Sequence, residues 1–224
     1  NVKAGRDERL QLFVWSESTL LDSDPSAPQY SQPFKKPGID NSNQEIRCIT
    51  GYQPRKYYTY DYTQTPNDEL RCTNACPVFR TAEALLNYME AMNEYNPEDP
   101  KIITYFNEIR ERAGIPNITV TYPQDLGDKE KMREWILRER QIELAFEGDR
   151  FWTLARRLLY EKEENRKIYR MNVLADDQGQ GFAFEGFYER KLLQTRYWDN
   201  KMYLYPIAQT EIDRGRGLVQ NPGW

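Results

Sequence analysis

The stretch RERQIELAFEGDRFWTL, residues 138–154, carries three acidic side chains among apolar ones. Glu139, Glu143 and Glu147 recur every four residues, and Arg150 follows them. Because an α-helix completes one turn in about 3.6 residues, this spacing predicts a helix that presents the three glutamates on nearly the same face. These residues, called the three-glutamate cluster below, could form a catalytic site, a metal site or part of a buried scaffold.

The apolar residues around the glutamates predict a half-buried helix that begins near Asp128. Five of them fall on one side of this helix: Met132, Trp135, Ile136, Ile142 and Phe146. Glu139 and Glu143 lie on or beside the same side, so we expect both carboxylates to be partly buried and to need cationic partners. Three nearby arginines are candidates: Arg138, Arg140 and Arg150. Gly148 is expected to cap the C-terminal end of the helix and to turn the chain before a short helix in residues 150–162.

Two more helices are predicted upstream. The sequence VFRTAEALLNYMEAMNEY, residues 78–95, has apolar residues at positions 79, 82, 86 and 89, which is a helical spacing. After a break, Asp99 is predicted as the N-cap and Pro100 as the first residue of the next helix. The apolar stripe of that helix comprises Ile102, Phe106, Ile109 and Ala113. Gly114 is expected to end it.

Together these two helices resemble one tetratricopeptide repeat, a helical hairpin that buries its faces against stacked neighbours. Phe79, Leu86 and Met89 form one apolar stripe, and Leu85 and Met92 form a second one. We expect one stripe to pack against the helix that carries the three-glutamate cluster. The other stripe is expected to pack against earlier repeats that lie outside this chain.

The sequence divides into three segments. Residues 1–77 are rich in aromatic residues and in the Pro, Gly, Asn, Asp and Ser residues that are typical of turns and loops. Residues 78–157 are predicted to be helical. Residues 158–224 are predicted to form strands and turns, with Asp199-Asn200 as the turn of a β-hairpin and PIAQTEID as a turn followed by one helical turn. The expected fold class is mainly α: a tetratricopeptide-like helix pair and a third helix, with irregular loops and short β-hairpins.

Five aromatic residues of the first segment are candidates for ligand binding: Trp15, Tyr30, Phe34, Tyr58 and Tyr60. Aromatic rings stack on the apolar faces of sugar rings, and tyrosine is common at binding surfaces. In RKYYTYDY, residues 55–62, alternate tyrosines fall on one side of an extended chain. This pattern is typical of a half-buried strand and also of an aromatic platform for a ligand, and the sequence leaves both open.

Composition excludes several function classes. The net charge of −4 does not favour nucleic-acid binding, and no apolar run approaches the roughly 20 residues of a membrane span. The chain has no histidine, which argues against a zinc site and against the usual nucleophile–base pairs. We therefore expect no metal site. The three cysteines, Cys48, Cys72 and Cys76, leave the presence of a disulfide open.

An enzyme remains the least favoured function. Paired carboxylates cleave glycosides when they face each other across a sugar, but Glu139 and Glu143 project from one helix among apolar residues. A tetratricopeptide-type adaptor for protein partners fits residues 78–113 but not the aromatic loops before them. We therefore assign structural roles to the three-glutamate cluster and to its surroundings, Arg80, Glu83 and Arg150. Arg80, Arg150 or backbone N–H groups are expected to donate hydrogen bonds to Glu143 and Glu147.

Four motifs resemble those of the SusD/RagB family, in the order that the family has them. They are FRTAEALLNYMEAMNE, FNEIRERAGIP, RERQIELAFEGDRFWTLAR and YPIAQTEIDRGRGLVQNPGW, and they span residues 79–224. The sequence departs from the usual pattern at Asp149, where the family often has His, and at Thr153, where it often has Asp. Members are usually about twice as long as this chain, so the resemblance implies the C-terminal part of such a protein, with the family's α/α superhelix.

The resemblance also implies a function. Proteins of this family bind oligosaccharides, or in some branches peptides, at the bacterial cell surface and deliver them to a SusC-like TonB-dependent transporter in the outer membrane. The resemblance implies that the full-length protein is held to the membrane by an N-terminal lipid anchor, which we expect to lie outside this chain. No catalytic residue and no cofactor is expected.

Overall fold

The computed structural model describes residues 5–15, 50, 52–57, 77–172, 175 and 184–224. The described part is mainly helical, as predicted. Its α-helices are α1 (Arg9–Phe13), α2 (Thr81–Tyr95), α3 (Pro100–Arg112), α4 (Ile118–Thr121), α5 (Lys129–Glu143), α6 (Asp149–Arg156) and α7 (Gln209–Ile212). Its strands are β1 (Val14–Trp15), β2 (Gln53–Pro54), β3 (Lys167–Arg170) and β4 (Lys191–Thr195). Short 3-10 helices connect several of them.

The core lies among the three long helices, with α2 in contact with both α3 and α5. Its buried apolar residues are Leu86, Met89, Ile102, Phe106, Ile109, Ile118, Met132, Ile136 and Leu144. The predicted stripe of α3 is buried along its whole length, from Ile102 to Ala113. On α2, Leu85 and Met92 are partly buried against the same core. Whether this second stripe also packs against further repeats stays a prediction, and so does the division into three segments.

The helices α3 and α5 begin at the positions that the sequence predicts, after Asp99 and Asp128. The Asp99 carboxylate accepts a hydrogen bond from the backbone N–H of Lys101 at 2.8 Å, and Pro100 is the first residue of α3. The Asp128 carboxylate accepts from the backbone N–H groups of Glu130 at 2.9 Å and Lys131 at 3.1 Å. Both side chains satisfy N–H groups that have no partner within the helix, which is the reason acidic residues are favoured at this position.

Replacing Asp128 by alanine is expected to lower the free energy of unfolding by about 0.5–2 kcal/mol, since two backbone N–H groups of α5 lose their acceptor. Urea denaturation followed by circular dichroism measures the change. Gln124→Ala, an exposed substitution a few residues upstream, is the matched control and should change stability by less than about 0.5 kcal/mol. Equal stability of the two variants would show that the cap contributes nothing.

The prediction that Phe79 and Phe146 lie on the buried faces of α2 and α5 is wrong. Phe79 lies before α2, which begins at Thr81, and its side chain is 61% exposed. Phe146 lies after α5, which ends at Glu143. Its side chain is 50% exposed, and its backbone has a positive φ of 66°. Gly148 consequently does not cap α5. It adopts a φ of 78° immediately before α6, where it turns the chain into the next helix.

The strands form two small antiparallel ladders. β1 pairs with β2, so that Trp15 lies opposite Gln53. β3 pairs with β4, not with the segment after Asp199. The predicted hairpin at Asp199-Asn200 is therefore wrong: Asp199 caps a 3-10 helix by accepting from the backbone N–H of Lys201 at 3.1 Å. The predicted helical turn near the C-terminal end is present as α7. No helix in the described ranges is long and apolar enough to cross a membrane.

Candidate functional site

Glu143 is completely buried and is contacted by three arginines from different parts of the chain. The Arg9 Nη1 atom lies 3.0 Å from its Oε2, and the Arg80 Nη1 atom lies 2.6 Å from its Oε1. Arg112, at the end of α3, also donates to Oε1. A carboxylate without access to water requires such partners because burial alone disfavours its charge.

The other two glutamates share these partners. Glu139, only 3% exposed, pairs with Arg9 at 2.6 Å and with Arg110 at 3.4 Å. Glu147 accepts from the Arg80 Nε atom at 2.8 Å and from Lys56. Arg9 therefore bridges the first two glutamates and Arg80 bridges the last two. The result is one continuous ion-pair network along the C-terminal half of α5 and the turn that follows it.

The same cations satisfy the last carbonyl groups of α5. The Arg80 Nη2 atom donates to the Glu143 carbonyl at 2.7 Å. Lys56 Nζ donates to that carbonyl at 2.8 Å and to the Ala145 carbonyl at 3.2 Å. Helix ends leave such carbonyls without partners, and positive charge there is favoured by the helix dipole. The predicted glycine cap is replaced by these two side chains.

A second group of polar contacts joins α5 to α6 and α2. Arg140, only 4% exposed, pairs with Asp149 at 2.5 Å and donates to Thr153 Oγ1 at 3.1 Å and to Asn87 Oδ1 at 2.6 Å. Glu83 lies 3.8 Å from it. The two positions at which the sequence departs from the resembled pattern, Asp149 and Thr153, therefore both contact one buried arginine.

The predicted role of Arg150 as a donor to the glutamates is wrong. Its guanidinium donates to Asn165 Oδ1 at 3.1 Å instead. Arg138 points elsewhere as well: its guanidinium lies 5.5 Å from the ring of Trp135. Closeness in sequence suggested both residues. The other predicted donor, Arg80, is confirmed for Glu143 and Glu147. Arg9, which is 134 residues from Glu143, was not predicted.

The hydrogen bonds keep the buried carboxylates charged. Burial raises the pKa of Glu143, but hydrogen bonds from Arg80 and Arg9 and the charge of Arg112 hold this pKa below its ordinary value. The pKa of Glu147 is lowered too, because hydrogen bonds from Arg80 and Lys56 outweigh the effect of burial. At the other end of α2, hydrogen bonding to Arg133 is the main cause that lowers the pKa of Glu94 to about 2.

These lowered pKa values predict acid sensitivity. Between the ordinary glutamate pKa of about 4.3 and the lower folded values, the unfolded chain binds more protons, so the free energy of unfolding falls as the pH falls. We expect the protein to be less stable at about pH 3 than at about pH 6, as measured by urea denaturation at each pH. Glu143→Gln should show a shallower decline, since it removes one titrating group. An unchanged slope in this variant would contradict the assignment.

Most of the predicted ligand-binding aromatics lie outside the described residues: Tyr30, Phe34, Tyr58 and Tyr60. Cys48, Cys72 and Cys76 lie outside them as well. Trp15 is placed by its backbone, which pairs with Gln53 in the β1–β2 ladder. Its role, like those of the other four aromatics, stays a prediction. In the described ranges, no three Cys, Asp or Glu residues are grouped so that they could hold a metal ion.

This chain is similar to known proteins over nearly its whole length. A family model described as the SusD family matches residues 2–224. SusD-like protein P2 of Formosa agariphila is 29% identical over 173 residues, which cover 75% of this chain and 30% of that protein.

The structure of a SusD-like protein from Bacteroides fragilis NCTC 9343 has a TM-score of 0.75 at 25% identity, covering 100% of this chain and 40% of that one. Surface glycan-binding protein A from Bacteroides uniformis is 24% identical with a TM-score of 0.53, over 98% of this chain and 39% of that one, and shares the fold.

These relatives are much longer, since the chain spans 30% of one and 40% of another. The match to the family model nevertheless extends over nearly the full sequence given, including α2, α3 and α5 with their buried charges. It confirms the resemblance carried by the four motifs. The chain belongs to the SusD family.

Proposed function

We propose that this protein is part of a cell-surface nutrient-binding protein that captures an oligosaccharide and passes it to a SusC-like TonB-dependent transporter in the outer membrane. The observation that carries the proposal is the family match over residues 2–224. A protein that shares the fold is a surface glycan-binding protein, although at 24% identity that likeness supports the fold alone. The family match makes glycans the first class of ligand to test, with peptides as the second.

The geometry of the three-glutamate cluster supports binding rather than hydrolysis. A glycosidase needs one carboxyl group to donate a proton and another to attack or to activate water, both of them open to the sugar. Glu139 and Glu143 are 3% and 0% exposed, and each is held by two or more arginines. Carboxylates in that state serve as fixed acceptors for the scaffold.

The network also connects the scaffold to the segments that border the predicted ligand side. Arg9 lies in α1, directly before β1, and Lys56 follows β2. Both side chains bind the three-glutamate cluster. The chain that contains Tyr30 and Phe34 is thus held at both of its ends by the same group of carboxylates. Rigid anchoring of binding loops on a helical scaffold is a general requirement for ligand recognition.

A glycan array followed by titration calorimetry tests the proposal. The protein should bind at least one oligosaccharide family, and its ligand should compete with the corresponding polysaccharide. Co-purification with a TonB-dependent transporter from the same genome, at the outer membrane, tests delivery. Binding of peptides without any glycan would move the ligand to the other class, and binding of neither would reject the nutrient-capture function.

A further inference from the structure

A groove of about 710 Å³ runs between α2 and α6 and is closed at one end by the turn after α5. This volume lies in the range that small-molecule and short oligosaccharide ligands occupy. One wall is formed by the face of α2 that carries Asn87, Glu90 and Ala91. The other wall is formed by Trp152 and Arg156 of α6. The groove lies outside the three-glutamate cluster, with which it shares only Glu147.

Trp152 gives the groove an aromatic wall. Its side chain is 58% exposed, and the ring of Tyr205, 64% exposed, lies beside it with the ring centroids 6.3 Å apart and the planes inclined by 49°. A tryptophan in a hydrophobic core or a packed helix interface would be covered. The Phe151 ring also contacts Trp152, edge to face with the centroids 5.2 Å apart, and more than half of the tryptophan surface still stays accessible. The C–H face of a sugar ring can stack on an exposed indole while its hydroxyl groups reach the polar side chains of the groove.

The polar part of the groove supplies both donors and acceptors in fixed positions. Arg156 pairs with Glu90 at 2.5 Å, and Arg140 pairs with Asp149 at 2.5 Å. Because each charge already has a partner, these side chains are held in place before a ligand arrives. The described residues that line the groove include five carboxylates (Glu83, Glu90, Glu94, Glu147 and Asp149) and three guanidinium groups (Arg140, Arg156 and Arg157), an excess of two negative charges. Cations outside the lining neutralise two of these carboxylates, since Glu147 pairs with Arg80 and Glu94 with Arg133. The guanidinium groups of the lining are themselves paired with carboxylates, so an acidic sugar would have to displace an existing partner, whereas a neutral sugar would not.

We infer that this groove is a subsite for a neutral oligosaccharide, with Trp152 as its stacking platform. The inference rests on the proposed glycan-binding function, and it adds a site on α2 and α6 to the aromatic residues of the first 77 positions. The paired carboxylates and guanidinium groups accept from and donate to the sugar hydroxyls. Tyr205 extends the aromatic surface towards the next sugar unit.

Two variants test the site by different physical routes. Trp152→Ala removes the stacking surface, and we expect about tenfold weaker binding of the neutral oligosaccharide selected on the array. Ala91→Trp fills the groove from the exposed face of α2 without removing any contact, and it should weaken binding at least as much. Tyr95→Ala, 87% exposed, and Glu108→Trp, at an exposed position of α3 outside the groove, are the matched controls and should bind as the wild type does.

The indole N–H signals in a ¹⁵N-edited spectrum provide an independent measurement. The chain has five tryptophans, and Trp152→Phe identifies the signal of Trp152. Addition of the oligosaccharide should shift this signal and leave that of Trp135 in place, because Trp135 is stacked on Tyr122 at 3.7 Å.

The failure of the site and the failure of the proposed function give different results. If the wild type binds a glycan while Trp152→Ala and Ala91→Trp bind it equally well, the subsite is rejected and the glycan-binding function stands. If binding through Trp152 requires an acidic oligosaccharide, the assigned class of ligand is rejected. If the wild type binds no glycan at all, the proposed function and the subsite are both rejected.

Discussion

Replacing Glu143 by alanine is expected to lower the free energy of unfolding by about 3–5 kcal/mol. The carboxylate is completely buried, and its loss leaves Arg9 and Arg80, which are largely buried, beside a cavity without their shared acceptor. Removing one partner of a buried charge pair is costly because the remaining charge stays desolvated and uncompensated. Urea or thermal denaturation at neutral pH measures the effect.

Glu134→Ala is the matched control, since it removes a glutamate from the same helix at a position where the side chain is 73% exposed. Its stability should change by less than about 0.5 kcal/mol. We expect the fraction of Glu143→Ala protein that still folds to bind ligand normally. A fully stable Glu143→Ala protein that has lost ligand binding would contradict the structural role and favour an active site.

Replacing Phe106 by alanine is expected to destabilise the protein by a similar amount, about 3–5 kcal/mol, because the change removes a large buried ring and leaves a cavity. Phe106 is 1% exposed and belongs to the core that joins α2, α3 and α5. The same denaturation experiment measures the loss. Phe106→Leu, which keeps most of the volume, should recover a large part of it.

Phe79→Ala is the informative comparison, because the spacing of apolar residues placed Phe79 in the same core. The structure leaves its side chain 61% exposed, so the substitution should change stability by less than about 0.5 kcal/mol. A loss as large as that of Phe106→Ala would mean that Phe79 packs against another part of the protein.

The long helices could be predicted because their signal is local. A stripe from Ile102 to Ala113 with a period near 3.6, an acidic residue before it and a glycine after it fix both the type of element and its bounds. The burial of Glu139 and Glu143 followed from the same periodicity, which placed them beside Trp135 and Ile136.

The start of α2 near Phe79 and the end of α5 before Phe146 could not be predicted from the spacing of apolar residues. Arg80 adopts an extended conformation, with φ −147° and ψ 160°, and its side chain reaches Glu143 and Glu147, so α2 cannot begin at Phe79. Lys56 binds the carbonyls at the end of α5, and the chain then turns through a left-handed residue at Phe146. Both helix ends depend on charges that are distant in sequence.

Of the partners of the glutamates, Arg80 was predicted and is confirmed, whereas Arg9 and Lys56 were not predicted. Arg9 and Lys56 lie far upstream, in segments with no regular pattern, and no spacing connects them to Glu143. A sequence can indicate that a buried carboxylate needs a cation, but it does not say which of the 31 lysines and arginines supplies it. Proximity suggested Arg150, which instead binds Asn165.

The β1–β2 ladder has a consequence for the length of the chain between its two strands. Trp15 and Gln53 are neighbours across the ladder, so the two ends of the intervening sequence are fixed side by side. Lengthening a segment whose ends are fixed side by side costs only about 0.6 kcal/mol for each doubling of its length. Insertions and wholesale replacement of that segment are therefore compatible with an unaltered helical body. The ladder is a suitable junction for exchanging this segment between relatives without redesigning the fold.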